Sequence, residues 1–180
     1  MSLFDLTGKV AVITGSSRGI GRAIAERMAE HGAKVVISSR KQPACEEVAK
    51  AINDQHGREV ALAVAANIST KQELKTLVEE TNAKFGTIDT LVCNAASNPY
   101  FGPQAKISDD QFRKILDNNI LSNHWLISLV APQMMQRKDG SITIISSIGG
   151  LNGSTVIGAY CISKAADMQL ARNLATELGP

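Results

Sequence analysis

Residues 9–21 read KVAVITGSSRGIG, an apolar and β-branched run that leads directly into a glycine-rich turn. Residues 9–14 predict a buried strand, because residues 10–13 form a short, uninterrupted apolar run. After Ile20 the apolar positions recur at helical spacing until Gly32, which offers a stop. A strand, a glycine turn and a helix in this order indicate the first unit of a parallel sheet.

The same alternation continues along the chain. Further strands are predicted at residues 34–39, 59–65, 90–93 and 140–146, and further helices at 44–55, 71–85, 108–136 and 160–179. The helical region from 108 starts with the capping box of Ser108 and Gln111 and contains Pro132, which predicts a kink or local break. Alternating strands and helices predict an α/β fold, a Rossmann-type doubly wound parallel sheet with helices on both faces. With no linker or repeat to divide it, residues 1–180 are expected to form a single domain.

Composition and charge exclude several classes of function. The chain is 44% hydrophobic and 20% charged, as is ordinary for a soluble domain. Its net charge of +2 comes from scattered residues, so no nucleic-acid partner is expected. No apolar stretch is long enough for a membrane span and no signal peptide precedes the first strand, which predicts a cytoplasmic protein that does not bind membranes. The three cysteines lack CxxC spacing and the three histidines stand apart, so no metal site is expected.

The glycine turn has the form of a phosphate-binding loop. Without side chains at Gly15, Gly19 and Gly21, the backbone can turn tightly and approach a pyrophosphate at the N-terminus of the next helix. The strand-turn-helix context is the one that a dinucleotide site requires. The alternative is that these glycines serve only close helix packing.

The end of the second predicted strand indicates which dinucleotide is bound. A ribose without a 2′-phosphate is usually held there by an acidic residue, but this chain has Ser39 and Arg40. Arg40, together with Arg18 inside the glycine turn, can make charge-assisted contacts to a 2′-phosphate. This favours NADP(H) over NAD(H), the alternative being that each arginine is a solvated surface residue.

A possible catalytic pair lies near the C-terminal end of the sequence. Tyr160 and Lys164 are four residues apart on a predicted helix and therefore share a face, where the cation can favour the phenolate. Ser147 follows the last predicted strand and can hydrogen-bond the same substrate oxygen. The tyrosine and lysine alone are a weak signal, but with the serine and the glycine turn in this order they indicate hydride transfer.

In this order the motifs resemble the short-chain dehydrogenase/reductase family over residues 9–180. The resemblance implies a catalytic set of Asn119, Ser147, Tyr160 and Lys164, in which the asparagine holds a water of a proton relay and the lysine also binds the nicotinamide ribose. From the residues alone Asn119 is equally a capping or kink residue. The residues expected to contact the cofactor are Gly15, Ser17, Arg18, Gly19, Ile20, Gly21, Ser39, Arg40, Asn67, Ile68, Asn94, Ala95, Tyr160 and Lys164.

Two departures from the family pattern fall in the adenine-side wall. The usual Asn-Asn-Ala-Gly is here Cys93-Asn94-Ala95-Ala96, which adds one methyl group. The acidic residue often found after the third strand is replaced by Asn67, whose amide oxygen can still accept from an adenine amino group. Residues 94–102, NAASNPYFG, are similar to the corresponding loop of the NADPH-dependent carbonyl reductases of the dehydrogenase/reductase member 4 type.

The resemblance also implies two further strands and a substrate-covering loop after Pro180, so the dinucleotide-binding and catalytic domain is expected to be truncated at its C-terminal end. We predict an oxidoreductase acting between NADP(H) and a small carbonyl or secondary alcohol substrate. A ketone or aldehyde reductase, a sugar-alcohol dehydrogenase and a β-ketoacyl reductase all remain open, and a non-catalytic NADP(H) sensor or a scaffold protein is the alternative. Trp125, Ile127, Leu129 and Val130 make the helix before Pro132 apolar on more than one face, and the helix at 160–178 is similar, which predicts a homo-oligomer, a dimer or tetramer. The alternative is that both helices pack on the sheet alone.

Overall fold

The computed structural model describes residues 3–179, which contain five strands and six α-helices. The strands are β1 Val10–Thr14, β2 Lys34–Ser38, β3 Ala61–Ala63, β4 Thr90–Cys93 and β5 Ser141–Ile144. The helices are α1 Gly19–Glu30, α2 Gln42–His56, α3 Lys71–Phe85, α4 Asp109–Leu116, α5 Ser122–Arg137 and α6 Gly158–Leu178. Within this part of the chain, no helix combines the length and the apolar character that crossing a membrane requires.

The five strands form one sheet in the order β3-β2-β1-β4-β5. β1 pairs in parallel with β2 on one side and with β4 on the other, so that Val12 lies opposite both Val36 and Leu91. The chain runs outward from β1 to β3 and then returns to place β4 beside β1, which makes the carboxyl ends of β1 and β4 the topological switch point. This arrangement confirms the predicted α/β, Rossmann-type parallel sheet.

Continuous apolar runs form the central strands because helices cover such a sheet on both faces. All five residues of β1 are buried, as are the last four of β2. β3 is shorter than predicted. At its start the side-chain oxygen of Asn53 accepts hydrogen bonds from the N–H groups of Val60 and Ala61, both at 2.7 Å.

The predicted helical region at 108–136 is interrupted, but not at its proline. The capping box of Ser108 and Gln111 starts α4 as predicted. The interruption is a π-helical segment, Asp117–Leu121, in which the N–H of Ser122 donates to the carbonyl of Asp117. α5 continues through Pro132, so the predicted local break there is wrong, and the alternative, a kink, stays a prediction. Pro132 is exposed, so its ring lies on the solvent side of the helix.

The described chain forms two compact units that are interleaved in sequence. The first consists of the residues up to Ala95 together with Trp125–Thr143, and it contains β1 to β4 and the three helices between them. The second consists of Ala96–His124 and the residues from Ile144 onward, and it contains α4, the π-helical segment and α6. The single domain expected over residues 1–180 stays a prediction.

The interiors of the two units differ in chemistry. That of the first is mainly apolar, built from valine, isoleucine, leucine and alanine of the strands and of α1 to α3. In the second unit the buried side chains are largely polar, namely Asn118, Asn119, Ser122, Asn123, Ser163, Lys164 and Asp167. Buried polar groups are costly unless they are hydrogen-bonded, so this cluster requires a connected network.

Candidate active site

The glycine turn between β1 and α1 is too tightly packed for side chains. A Cβ atom at Gly21 would lie 2.5 Å from the carbonyl oxygen of Gly15 and 2.6 Å from Nδ2 of Asn94. Gly15 has a φ of +68°, and a Cβ atom there would lie 2.9 Å from the same nitrogen. The absence of side chains at these two positions therefore allows the turn to lie directly against Asn94.

Thr14 joins the ends of β1 and β4 at the switch point, a role that the sequence did not reveal. Its Oγ1 accepts hydrogen bonds from the N–H groups of Asn94 and Ala95, both at 3.0 Å. In return, Nδ2 of Asn94 donates to the carbonyl oxygen of Thr14 at 2.8 Å. Asn94 and Ala95, predicted to contact the cofactor, are thus held against the glycine turn.

Ser16 connects the glycine turn to the end of β2. Its hydroxyl donates to the carbonyl of Ile13 at 2.6 Å and accepts from the N–H of Ser38 at 2.9 Å. Directly after Ser38, Ser39 is half-buried with its Oγ 3.2 Å from the Sγ of Cys45, and Arg40 is exposed. Ser38, the residue before the two predicted 2′-phosphate residues, is therefore bonded to the predicted pyrophosphate turn.

The start of α1 fits a bound pyrophosphate. Arg18 occupies the N-cap position with an extended backbone, but no hydrogen bond from its side chain caps the helix, and the first turn contains no acidic residue. The first N–H groups of a helix need acceptors and carry its positive end, and phosphate oxygens supply both requirements. Ile20 is exposed and nothing lies within 4 Å of a Cβ atom placed at Gly19, so this face has room for a ligand.

Asn67 and Ile68, predicted for the adenine side, follow β3. The Asn67 amide oxygen accepts from the N–H of Ser69 at 3.2 Å, and its backbone N–H donates to Oε2 of Glu73 at 2.7 Å. A carbonyl oxygen has two lone pairs, so Asn67 retains an acceptor for an adenine amino group. Ile68 is half-buried beside it.

Tyr160 and Lys164 lie on one turn of α6, as their spacing predicts. Nζ of Lys164 is 5.8 Å from the centre of the Tyr160 ring. The lysine side chain is only 3% exposed, and its ammonium donates to the carbonyl of Ile145 at 2.9 Å and to Oδ2 of Asp167 at 2.8 Å. The cation is therefore desolvated and held in place beside the tyrosine.

Asn119, in the π-helical segment, is fully buried. Its side chain accepts from the N–H of Ser97 at 2.8 Å and donates to the Ser97 carbonyl and to Oγ of Ser163, both at 3.0 Å. The Ser163 hydroxyl in turn donates to the carbonyl of Tyr160 at 2.7 Å. Asn119 thus connects the loop after β4 to the turn of α6 that carries the tyrosine. The water-binding role implied by the family resemblance stays a prediction.

Ser147 begins a 3₁₀ turn that is bound to α6. Its Oγ accepts from the N–H of Gly149 at 3.1 Å. On one side of it, the hydroxyl of Ser146 donates to the carbonyl of Lys164 at 2.9 Å. On the other side, a Cβ atom at Gly150 would lie 2.9 Å from the same carbonyl oxygen. The structure therefore brings the Ser147 turn against the helical turn of Lys164.

Two buried polar residues of this unit were missed in the sequence, Asp167 and Asn123. Asp167 is fully buried and binds Lys164 through one oxygen and Nδ2 of Asn123 through the other, at 3.0 Å. A signal was present, because Asp167 is an acidic residue three positions after Lys164 on the predicted helix, where the two side chains can meet. Among the described residues, no three histidine, cysteine or acidic side chains converge as metal ligands.

Comparison with known proteins places this chain in a family. The short chain dehydrogenase model matches residues 9–180, and the chain belongs to that family. Dehydrogenase/reductase SDR family member 4 of Mus musculus is 36% identical over 176 residues, covering 97% of this chain and 62% of that protein. The chain therefore spans about 62% of the length of that curated relative.

Solved structures of the same family share the fold. A 7α-hydroxysteroid dehydrogenase complexed with NADH and 7-oxo glycochenodeoxycholic acid has a TM-score of 0.92 and 36% identity, covering 98% of this chain and 68% of that chain. A gluconate 5-dehydrogenase from Burkholderia cenocepacia J2315, in complex with NADP and tartrate, has a TM-score of 0.91 and 27% identity. This match also covers 98% of this chain and 68% of that chain. These relatives include complexes with NADH and with NADP.

Replacing Gly21 by alanine should destabilise the protein, because the new Cβ would meet the Gly15 carbonyl and Asn94. We expect the free energy of unfolding in urea to fall by about 1 to 3 kcal/mol, the usual cost of overpacking. Gly153→Ala is the control, since nothing lies within 4 Å of its added Cβ. Equal stability of the two variants would contradict the packing described for the turn.

Proposed function

We propose that this protein is an NADP(H)-dependent oxidoreductase that interconverts a carbonyl compound and a secondary alcohol. The observation that carries the proposal is the turn of α6 that holds a buried lysine ammonium beside a tyrosine. There Lys164 lies beside Tyr160, and Asn119 is bonded to Ser163 of the same turn. The hydroxyl of Ser146, the residue before Ser147, donates to the main-chain carbonyl of the lysine. A helix with only a structural role does not require a desolvated ammonium, because an apolar residue at that position would cost less desolvation free energy.

The proposed chemistry divides between cofactor and protein. When bound, the nicotinamide supplies a hydride to the carbonyl carbon or accepts one from the alcohol carbon. The Tyr160 hydroxyl donates a proton to the substrate oxygen in reduction and accepts it in oxidation. The Ser147 hydroxyl donates a hydrogen bond to the same oxygen. The ammonium of Lys164, 5.8 Å from the centre of the tyrosine ring, would bind the nicotinamide ribose.

The proposed cofactor preference rests on charge at the end of β2. Relatives with this fold bind NADH or NADP, so family membership alone leaves the preference open. Ser39 and Arg40 follow Ser38, which is bonded to the glycine turn through Ser16. An exposed guanidinium at this point supports binding of a 2′-phosphate, and no carboxylate at these two positions opposes it.

The substrate is proposed only as a class, a small carbonyl or secondary alcohol compound. The similarity of the chain to dehydrogenase/reductase SDR family member 4 supports a reductase, and we propose a cytoplasmic enzyme. A protein that binds NADP(H) as a sensor or scaffold would need the glycine turn but not the polar cluster around Lys164. Turnover therefore separates the two functions.

Tyr160→Phe should abolish most turnover and leave NADPH binding intact, because only the hydroxyl is lost. We expect kcat to fall roughly a hundredfold to ten-thousandfold, the usual contribution of general acid-base catalysis. NADPH oxidation with a panel of ketones and aldehydes measures turnover, and calorimetry measures binding. Tyr100→Phe, at the other tyrosine of the chain, should retain activity. If Tyr160→Phe keeps most of the wild-type kcat, Tyr160 is not the acid.

Arg40→Ala should weaken NADPH binding and leave NADH binding unchanged, because a charged hydrogen bond to the 2′-phosphate is lost. We expect about a tenfold rise in the Kd for NADPH. Ser39→Asp should weaken the binding of NADPH and strengthen that of NADH, because a carboxylate repels the 2′-phosphate and accepts a hydrogen bond from a free 2′-hydroxyl. Arg58→Ala, also exposed, is the matched control. Equal effects of Arg40→Ala on both cofactors would refute the assignment.

We also propose a homo-oligomer, a dimer or tetramer, formed through α5 and α6. Met135 and Ile162 are about half exposed on these helices, at 55% and 48%, and apolar surface of this kind favours association. Light scattering at micromolar concentration should give a mass of at least two chains. A monomeric mass would contradict the proposal.

A further inference from the structure

The carboxylate of Asp167 has no role in the chemistry proposed above, although it is the direct partner of Lys164. Asp167 and Lys164 are 0% and 3% exposed, and 2.8 Å separates Oδ2 from Nζ. A buried ion pair of this kind costs desolvation energy that the pairing only partly offsets. An apolar pair would fill the same space without that cost, so the acid calls for a reason beyond packing.

Asp167 is itself held by a second polar side chain. Its Oδ1 accepts from Nδ2 of Asn123, and the same nitrogen donates to the main-chain carbonyl of Asn119 at 2.8 Å. A chain of hydrogen bonds therefore runs from the π-helical segment through Asn123 and Asp167 to the ammonium. Each side chain in it is buried, which limits the number of positions that it can adopt.

The partners of the ammonium leave one donor unused. A lysine ammonium has three N–H groups. One points to the carbonyl of Ile145 and one to Asp167. With two directions fixed, the direction of the third follows from the tetrahedral geometry of the nitrogen. A flexible four-carbon side chain is thereby turned into a donor of defined orientation, which reduces the entropy lost when a ligand binds.

We propose that Asp167, held by Asn123, is the positioning residue of Lys164 and orients the remaining N–H of the ammonium toward the nicotinamide ribose. The inference rests on the proposed function, because that function assigns the ribose contact to Lys164. Asp167 acts only through the lysine and touches neither substrate nor cofactor.

The test compares two ligands that differ in the nicotinamide half. NADPH includes the ribose that Lys164 would bind, whereas adenosine 2′,5′-bisphosphate lacks it. Asp167→Asn keeps the volume of the side chain but removes its charge. Calorimetry should show NADPH binding weakened about tenfold and the bisphosphate unchanged, since only the first ligand uses the lysine. For a protein that prefers NADH, NADH and adenosine 5′-monophosphate form the equivalent pair.

Two further variants serve as controls. Asp89 is another buried carboxylate, which accepts from the N–H of Val10 at 2.9 Å and contacts Arg137. Asp89→Asn should lower the midpoint of thermal unfolding while leaving both affinities unchanged. Asn123→Ser should remove the contact to Asp167 and still bond the Asn119 carbonyl, as Ser122 bonds that of Asn118 in the same helix. Asn123→Ser should weaken the binding of NADPH a few-fold and leave that of the bisphosphate unchanged. This variant tests the positioning role of Asp167 if Asp167→Asn does not fold.

Equal weakening of both ligands by Asp167→Asn would assign this residue a merely structural role and overturn the inference, as would unchanged NADPH binding. For Asn123→Ser, unchanged NADPH affinity would do the same. If the unmodified protein binds neither NADPH nor NADH, both the proposed function and the inference fail. Asp167→Asn can weaken the binding of NADPH and not that of the bisphosphate while the unmodified protein reduces no carbonyl compound. In that case the positioning role stands and the proposed enzymatic activity fails.

Discussion

The side chain of Asn119 is the constraint on which the second unit depends. It is fully buried, and each of its polar atoms is hydrogen-bonded to another segment of the chain. Through Ser97 it fixes the loop after β4, and through Ser163 it fixes the turn of α6 that carries Tyr160. Its own main-chain carbonyl extends the network through Asn123 to Asp167 and Lys164. Because an unsatisfied buried amide costs several times more than a single bond contributes, these segments are held in one arrangement.

The first unit is built on a different principle. Its sheet is stabilised by apolar burial along β1 and β2, and polar side chains are used mainly where strands end. Thr14, Ser16 and Asn94 connect the carboxyl ends of β1, β2 and β4, and the glycines let the chain turn tightly among them. Under the proposed function the apolar sheet of this unit supports the nucleotide.

The sequence predicts most of the fold and the turn of α6 with Tyr160 and Lys164, because these depend on local patterns. Apolar runs mark strands, the glycine turn marks the start of α1, and a spacing of four places two side chains on one face. The π-helical segment was missed because the apolar pattern of a helix does not reveal one additional residue in a turn. The break expected at Pro132 is wrong: α5 continues through this residue, whose ring lies on the exposed side of the helix. Asp167 and Asn123 are 44 residues apart in sequence and are hydrogen-bonded between two helices. No local sequence pattern shows a contact of this kind.

Hydride transfer between a nicotinamide and a carbonyl carbon is the activity that we propose for this member of the short chain dehydrogenase family. Isotopic labelling follows the hydride itself. NADPH that carries deuterium at both C4 positions of the nicotinamide is incubated with the protein and a panel of ketones. Mass spectrometry then measures the masses of the alcohols formed. The account predicts an alcohol that carries one deuterium on its carbinol carbon. Alcohol without deuterium, or no alcohol from any ketone while NADPH still binds, would contradict it.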